Sequence, residues 1–281
     1  MQRTLRKFFP LFVLPTLIAF VIVFLIPFVM GIYLSFTEFT TVTNSQWVGL
    51  KNYITAFTAN QEFVNALWFT VKFAVVSVIS INILGFAMAS LLTRGIRGTN
   101  LFRTVLFMPN LIGGIVLGWI WQMIFNGILY HYEMTLTYDA RFGFWGLVIL
   151  MNWQMIGYMM IIYIAGLQSI PGDVMEAAQI DGANRIQRLF KVTIPMMMPS
   201  ITICMFLSIT NGFKLFDQNL SLTAGEPSKM SEMMALNIFN TFYGRTGWEG
   251  VGQAKAVIFF VIVVAIGMLQ LRATRSKEVQ Q

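Results

Sequence analysis

Charged residues are scarce in this chain. Only 11% of its 281 residues are Asp, Glu, Lys or Arg, whereas 57% are hydrophobic, and the mean hydropathy is +0.69. A water-soluble domain carries about 25% charged residues, so this deficit excludes an ordinary soluble domain. A lipid bilayer suits such a composition, because apolar runs of about 20 residues cross it as helices that satisfy their own backbone hydrogen bonds.

Reactive and metal-binding side chains are nearly missing as well. The one cysteine, Cys204, lies in an apolar run, which excludes a disulfide within the chain. The one histidine, His131, has no Cys or His partner at metal-ligand spacing, so we expect no metal site. No G-x-x-x-x-G-K-[ST] segment occurs, and the chain therefore cannot cradle ATP phosphates by that route. We expect neither a catalytic centre nor a cofactor bound by this chain.

The apolar residues are gathered in six long runs, which predict an all-α, polytopic membrane protein with six transmembrane helices. The first run is too long and bulky for the core of a signal peptide, so we interpret it as a retained span. We expect residues 217–252 to form a polar loop and residues 1–281 to form a single transmembrane domain. The spans are predicted at about residues 11–36, 70–93, 104–125, 144–167, 198–216 and 254–271.

The basic residues predict how the chain is oriented. A net charge of +7 could suggest nucleic acid, but Lys and Arg lie in short clusters beside apolar runs, so no nucleic-acid partner is expected. The N-terminus, residues 94–103, residues 171–191 and the C-terminal tail hold three each, which is 12 of the 19 basic residues. By the positive-inside rule these four segments, and hence both termini, are cytoplasmic.

A polar segment follows the fourth span. In it, Asp173 can cap a helix through its carboxylate, and Glu176, three residues later, can complete a capping box. The small side chains of Ala177 and Ala178 would let another protein approach one face of this helix closely. An ordinary capped helix at the membrane surface explains these features equally well.

The second half of this segment, up to Pro199, predicts a turn, a helix and a bend. Asp181-Gly182 supplies a turn or helix end with positive φ, and Pro195 and Pro199 bend the chain as it re-enters the bilayer. The helix between them runs from Asn184 to about residue 191 and places its charges on one side: Arg185, Arg188 and Lys191.

This stretch resembles the EAA loop of binding-protein-dependent ABC transporter permeases. The matching features are Glu-Ala-Ala at 176–178, three residues, Gly182, and a basic amphipathic helix that ends in Val-Thr-Ile-Pro at 192–195. The resemblance implies a coupling helix that docks in a cleft of a separate ATPase subunit, which binds ATP and Mg²⁺. The residues it implies for coupling are Asp173, Glu176, Ala177, Ala178, Asp181, Gly182, Arg185 and Pro195, within a coupling loop at 171–195.

Further stretches are similar to the carbohydrate-uptake subfamily. They are PFVMGIYLSFT at 27–37, WVGLKNY at 47–53, FRT at 102–104 and TAGEP at 223–227. The chain looks like the first permease subunit of maltose and glycerol-3-phosphate importers, without the two extra N-terminal spans and the external insertion of the maltose subunit. The resemblance implies the bacterial inner membrane, a second homologous permease, two ATPase subunits, a solute-binding protein and a sugar.

Polar and aromatic residues in the fourth and fifth spans are candidates for the transport pathway. Polar groups inside spans are costly and commonly face a cavity or another helix. Aromatic faces can stack on sugar C–H groups while amides bond to hydroxyls, which suits a neutral saccharide; helix packing is the competing explanation for each residue. Lys214 and Asp217 could pair across a turn or reach outward to the interface. The family resemblance implies sugar contacts at about Trp153, Gly157, Tyr158, Asn211, Gly212 and Phe213, and the polar side chains add Asn152, Lys214 and Asp217 as candidates.

The third span contains Gly114-x-x-x-Gly118, which permits close helix approach.

The expected mechanism is alternating access, with no covalent chemistry in this subunit. An ABC permease for a non-sugar solute is the main alternative. An ion-coupled secondary transporter would need charged relays inside the spans, and a membrane enzyme would need a catalytic cluster; the sequence offers little of either.

Overall fold

The computed structural model describes residues 2–59 and 62–276, without the side chains of residues 2–8 and Pro10. Helices dominate that part of the chain, and its strands are one short antiparallel pair, Thr37–Glu38 (β1) and Gln46–Trp47 (β2), with Thr37 opposite Trp47. The all-α prediction is confirmed. Of the basic side chains that predict cytoplasmic termini, Arg272 and Arg275 lie in the last turn of the helix Glu249–Arg275, whereas those of Arg3, Arg6, Lys7 and Lys277 lie outside the described part of the chain.

Four continuous helices in the described residues are long and apolar enough to cross a membrane, and two bent helix pairs raise the number to six if each pair is one span. The continuous helices are Leu11–Leu34, Glu62–Leu92, Ala140–Gln168 and Glu249–Arg275. The bent pairs are Thr99–Leu111 with Gly114–Tyr132, at 101°, and Arg185–Met196 with Met198–Phe213, at 72°.

The span predicted at about 104–125 is a broken helix in the structure. The helix Thr99–Phe107 (α5) passes into a 3-10 turn, Met108–Leu111, in which Pro109 occupies the first turn. Ile112 and Gly113 then take extended backbone angles before the next helix, Gly114–Leu129 (α6), begins. Proline tightens and ends a helix because it lacks an N–H donor, and here it precedes the break.

The chain divides into two compact units. The first joins the chain up to Phe63 with Ile238–Phe260, and the second joins Val64–Asn237 with the chain from Val261 onward. In the first unit the buried Asn52 amide donates to the backbone oxygens of Ser35 (3.0 Å) and Thr37 (2.8 Å). Its helices, some of which continue into the second unit, are Gln2–Phe20 (α1), Ile26–Leu34 (α2), Lys51–Thr58 (α3), Met234–Gly244 (α13) and Glu249–Arg275 (α14).

The second unit is built around one buried helix, Ala140–Gln168 (α7). Its buried apolar side chains, among them Met151 and Met159, pack against Glu62–Leu92 (α4) and Met198–Phe213 (α11). Methionine fills irregular gaps between helices because its side chain is flexible and polarizable. The unit also contains α5, α6, Gly172–Ile180 (α8), Arg185–Arg188 (α9), Ile194–Met196 (α10) and Asp217–Leu222 (α12).

A polar network ties α4, α7 and α11 together. The Asn82 amide donates to Ser208 Oγ at 2.9 Å, and the Tyr163 hydroxyl donates to Asn82 Oδ1 at 2.6 Å. An unsatisfied polar group is costly inside a membrane protein, and these bonds satisfy three such side chains at once. They fix the register of the three helices against one another.

The predicted polar loop at 217–252 is wrong in part, because it contains α12 and α13. The predicted close approach of another helix to the two glycines of α6 is confirmed. The helix that approaches them is α12. A Cβ on Gly114 would lie 2.7 Å from Asp217 Cβ, and a Cβ on Gly118 would overlap Ser221 Oγ. The polar sequence of α12 resembles a loop, but packing against α6 stabilises it as a helix.

Candidate functional site

The helix α8 begins earlier than its sequence suggests. Pro171 occupies the N-cap position with extended backbone and no side-chain cap, and Asp173 Oδ1 accepts a bond from the Val174 N–H at 3.0 Å. The predicted capping box of Asp173 and Glu176 is therefore wrong. A cap must lie outside the helix, whereas Asp173 lies in the first turn, where its negative charge still interacts favourably with the helix dipole.

The end of α8 is a sharp, hydrogen-bonded stop. Gly182 has φ of 76°, as predicted. The Gly182 N–H donates to Gln179 O (3.0 Å), and the Ala183 N–H donates to Ala178 O (3.0 Å). This pair of bonds is a Schellman motif, which requires a residue that tolerates the left-handed region.

The capping box lies at the next helix instead. Asn184 Oδ1 accepts from the Gln187 N–H at 2.8 Å, and Gln187 Oε1 accepts from the Asn184 N–H at 2.8 Å. The Asn-x-x-Gln spacing is a sequence signal for this cap that the sequence analysis missed. The chain continues through a π-helical turn, Leu189–Thr193, and bends by 72° at Met197, between Pro195 and Pro199. The predicted bend is thus confirmed.

The segment from Pro171 to Pro195, called the coupling segment below, is mostly exposed. Glu176, Ala177, Asp181, Gly182 and Arg185 are exposed, and Ala178 is half-buried. Ile180, at the end of α8, is 86% exposed, and two further large apolar side chains are exposed after it: Ile186 and Phe190. Exposed apolar groups rimmed by polar ones mark interaction surfaces.

A cavity of about 530 Å³ lies in the second unit, lined mainly by α7, α11 and α12. Four of the predicted pathway residues line it: Tyr158, Asn211, Lys214 and Asp217. Sequence reasoning missed Asn110, beside the break after Pro109, and Gln218, next to Asp217. The other lining residues are Met151, Gln154, Met155, Leu207, Leu215 and Phe216.

The other five predicted pathway residues lie outside this lining. Asn152 donates to Ser80 Oγ (2.9 Å) and Val148 O (2.8 Å), so its amide ties helices together. Gly157 lies so close to α5 that a Cβ would overlap the carbonyl oxygen of Leu106. The remaining three are Trp153, which is 44% exposed with its ring against Trp121, and Gly212 and Phe213, which are buried.

The lining offers hydrogen bonds and nearly balanced charge. Gln218 donates to Gln154 Oε1 at 2.8 Å, which orients both amides. In the described part of the chain the Asn211 amide makes no side-chain hydrogen bond, and Lys214 and Asp217 form no ion pair; all three are exposed. Such a surface can bind a neutral, hydroxyl-rich solute.

Comparison with known proteins identifies the family. The sequence profile of the binding-protein-dependent transport system inner membrane component family matches residues 81–276. The chain belongs to this family. The permease is 45% identical, over 96% of its length and 94% of the relative's, to the probable starch degradation products transport system permease protein AmyD of Thermoanaerobacterium thermosulfurigenes. It is 29% identical to the multiple sugar-binding transport system permease protein MsmF of Streptococcus mutans, covering 99% of both chains.

The fold of the permease has a solved counterpart. It matches a chain of a bacterial ABC transporter involved in the import of alginate, with a TM-score of 0.79, 18% identity and 98% of both chains covered. Its membership of the family makes the permease a multi-pass inner-membrane subunit of an ABC importer and not an enzyme, because ABC importers hydrolyse ATP in separate ATPase subunits.

Proposed function

We propose that the permease is one of two transmembrane subunits of an ATP-driven, binding-protein-dependent importer of di- or oligosaccharides. The observation that carries this proposal is the 45% identity, over 96% of the chain, to a relative named for the transport of starch degradation products. Relatives named for multiple sugars and for trehalose and maltose are similar over nearly the whole chain.

The α7–α11–α12 cavity is the proposed passage for the sugar. Amides and a phenol, from Asn110, Gln154, Tyr158, Asn211 and Gln218, can exchange hydrogen bonds with sugar hydroxyls. Lys214 and Asp217 contribute opposite charges to the same lining, so the cavity has no net excess that would favour an anionic solute.

The coupling segment is the proposed contact with an ATPase subunit. Ile180 and Ala177 would enter a cleft of that subunit, and the Schellman turn at Gly182 would keep α8 rigid while force is transmitted. The proposed assembly holds a second homologous permease, two ATPase subunits and a solute-binding protein outside the membrane. Both termini and the coupling segment would be cytoplasmic.

The proposed mechanism is alternating access. ATP binding to the ATPase pair favours one of two packed states of the permeases, and hydrolysis restores the other. The permease itself needs no covalent chemistry for this cycle, and the exposed polar lining of the cavity supplies weak, reversible contacts along the route.

The test is uptake in proteoliposomes that contain the purified transporter, its solute-binding protein and internal ATP. We expect uptake of a maltose-series oligosaccharide and none of an amino acid supplied with the same components. Uptake of the amino acid instead would favour the alternative, an ABC permease for a non-sugar solute. Sugar uptake that follows an imposed ion gradient without ATP would favour a secondary transporter.

A further inference from the structure

A second cavity lies in the second unit, between the last turns of α4 and the coupling segment. It measures about 940 Å³ and is called the arginine groove here, because Arg94, Arg185 and Arg188 line it. Apolar side chains from α4 also line it, among them Ile83, Phe86 and Leu91. The groove contains none of the residues of the cavity proposed for sugar.

The charge in this groove is uncompensated. Its lining contains three arginines and no carboxylate, and none of the three forms an ion pair within residues 2–59 and 62–276. The Nε of Arg188 is buried and has no hydrogen-bond partner among the described residues. A buried guanidinium nitrogen without an acceptor is costly, so an acceptor from outside the chain would stabilise it.

The groove reaches into the depth of the membrane. Ile83 lies nine residues before Leu92, the last residue of α4, which at 1.5 Å per residue is about 13 Å along the helix. That is close to half of the roughly 30 Å hydrocarbon layer. Ile83 is 62% exposed, so the groove opens onto a surface of α4 available to lipid. A soluble ATPase subunit cannot reach that depth.

We propose that the arginine groove binds an anionic phospholipid. The headgroup phosphate accepts charge-assisted hydrogen bonds from Arg94, Arg185 and Arg188 at the membrane border. An acyl chain lies along Ile83, Phe86 and Leu91. The lipid thereby joins the end of α4 to the coupling segment.

The test is native mass spectrometry of the transporter purified through this chain and equilibrated with mixed micelles of phosphatidylglycerol and phosphatidylcholine in equal amounts. We expect the wild type to retain phosphatidylglycerol selectively. Replacement of two groove charges, Arg94→Gln with Arg188→Gln, should lower the ratio of bound phosphatidylglycerol to phosphatidylcholine at least about tenfold. The matched control, Arg97→Gln with Lys191→Gln, removes two charges that lie outside the groove lining and should retain the wild-type ratio.

An unchanged ratio in the groove variant, or an equal loss in the control, would overturn the proposal. A second readout detects a protein occupant. In an Ile83→Cys variant, the other thiol, Cys204, is buried, and efficient cross-linking of position 83 to another subunit would show that protein fills the groove. The ATPase content of the same samples is a separate measurement: loss of the ATPase from the groove variant without loss of lipid would assign these arginines to docking and would overturn the lipid site.

Discussion

Gly157 shows how closely α5 and α7 approach one another. Because its Cβ would overlap the backbone oxygen of Leu106, the strain of a side chain cannot be relieved by a rotamer change. We expect Gly157→Ala to destabilise the permease by about 1–3 kcal/mol, measured as a lower thermal unfolding midpoint in detergent. Gly127→Ala on α6 is the control, because no atom lies within 4 Å of its Cβ position, and helix propensity favours alanine there. Equal midpoints for the two variants would contradict this packing.

Asn211 is the cavity amide with the clearest freedom to contact solute, since its side chain makes no hydrogen bond in the described residues and lines the cavity. A neutral hydrogen bond contributes about 1 kcal/mol. Asn211→Ala should therefore raise the sugar concentration for half-maximal uptake about fivefold. Trp153→Phe, in the neighbouring helix but outside the lining, should leave it near the wild-type value. A larger effect of Trp153→Phe than of Asn211→Ala would show that the sugar does not pass through this cavity.

Among the elements, α8 and its turn carry the proposed coupling. Substitution of Gly182 by valine forces a β-branched residue into a left-handed conformation, at a cost of about 1–3 kcal/mol. We expect Gly182→Val to abolish ATP-dependent uptake while the subunit remains in the membrane. Gly172→Ala, at the other end of α8 and with open space around its Cβ position, should transport normally. Normal transport by Gly182→Val would refute the role of the turn.

Ile180 tests the docking surface itself. Burying this exposed side chain in a partner would contribute about 1.5–3 kcal/mol. Ile180→Asp should thus reduce the ATPase that co-purifies with the permease at least about tenfold. Ile180→Met, which conserves volume and apolar character, should retain it. If both variants retained the ATPase, α8 would not be the contact.

Hydrophobic runs predict most of these elements, because a bilayer imposes length and composition on every span. The turn and the bend of the coupling segment are also predictable from sequence, because Gly182 and the prolines restrain the backbone locally. Two local features were assigned wrongly or missed. The start of α8 lies at Pro171 rather than Asp173, which is a local choice between two possible caps. The helix α12 forms from polar sequence because α6 presents Gly114 and Gly118 to it, which only tertiary packing decides.

The cavity illustrates the same limit. The family resemblance and the polar residues in the spans pointed to Tyr158, Asn211, Lys214 and Asp217, but they could not separate these from Asn152 and Gly157, which pack between helices. Side chains one residue apart on a helix point in different directions, and the broken third span brings Asn110 to the lining. Only the arrangement of helices in space resolves these cases.

The permease as a whole has no phosphate-binding loop in its sequence, so it must move sugar with energy released in another subunit. The proposed ends of this process are the cavity beside α12 and the exposed tip of α8, both within the second unit. Because coupling between two sites is reciprocal, sugar-loaded binding protein should raise the ATPase rate of the assembled transporter. Gly182→Val should remove that stimulation.

The most direct measurement is uptake of a maltose-series oligosaccharide into proteoliposomes that hold the complete transporter, with ATP inside or absent. We predict uptake when both ATP and the solute-binding protein are present and no uptake when either is left out. A transporter that carries Gly182→Val should show no uptake with ATP. Uptake without ATP, or ATP-dependent uptake that Gly182→Val retains in full, would contradict these predictions.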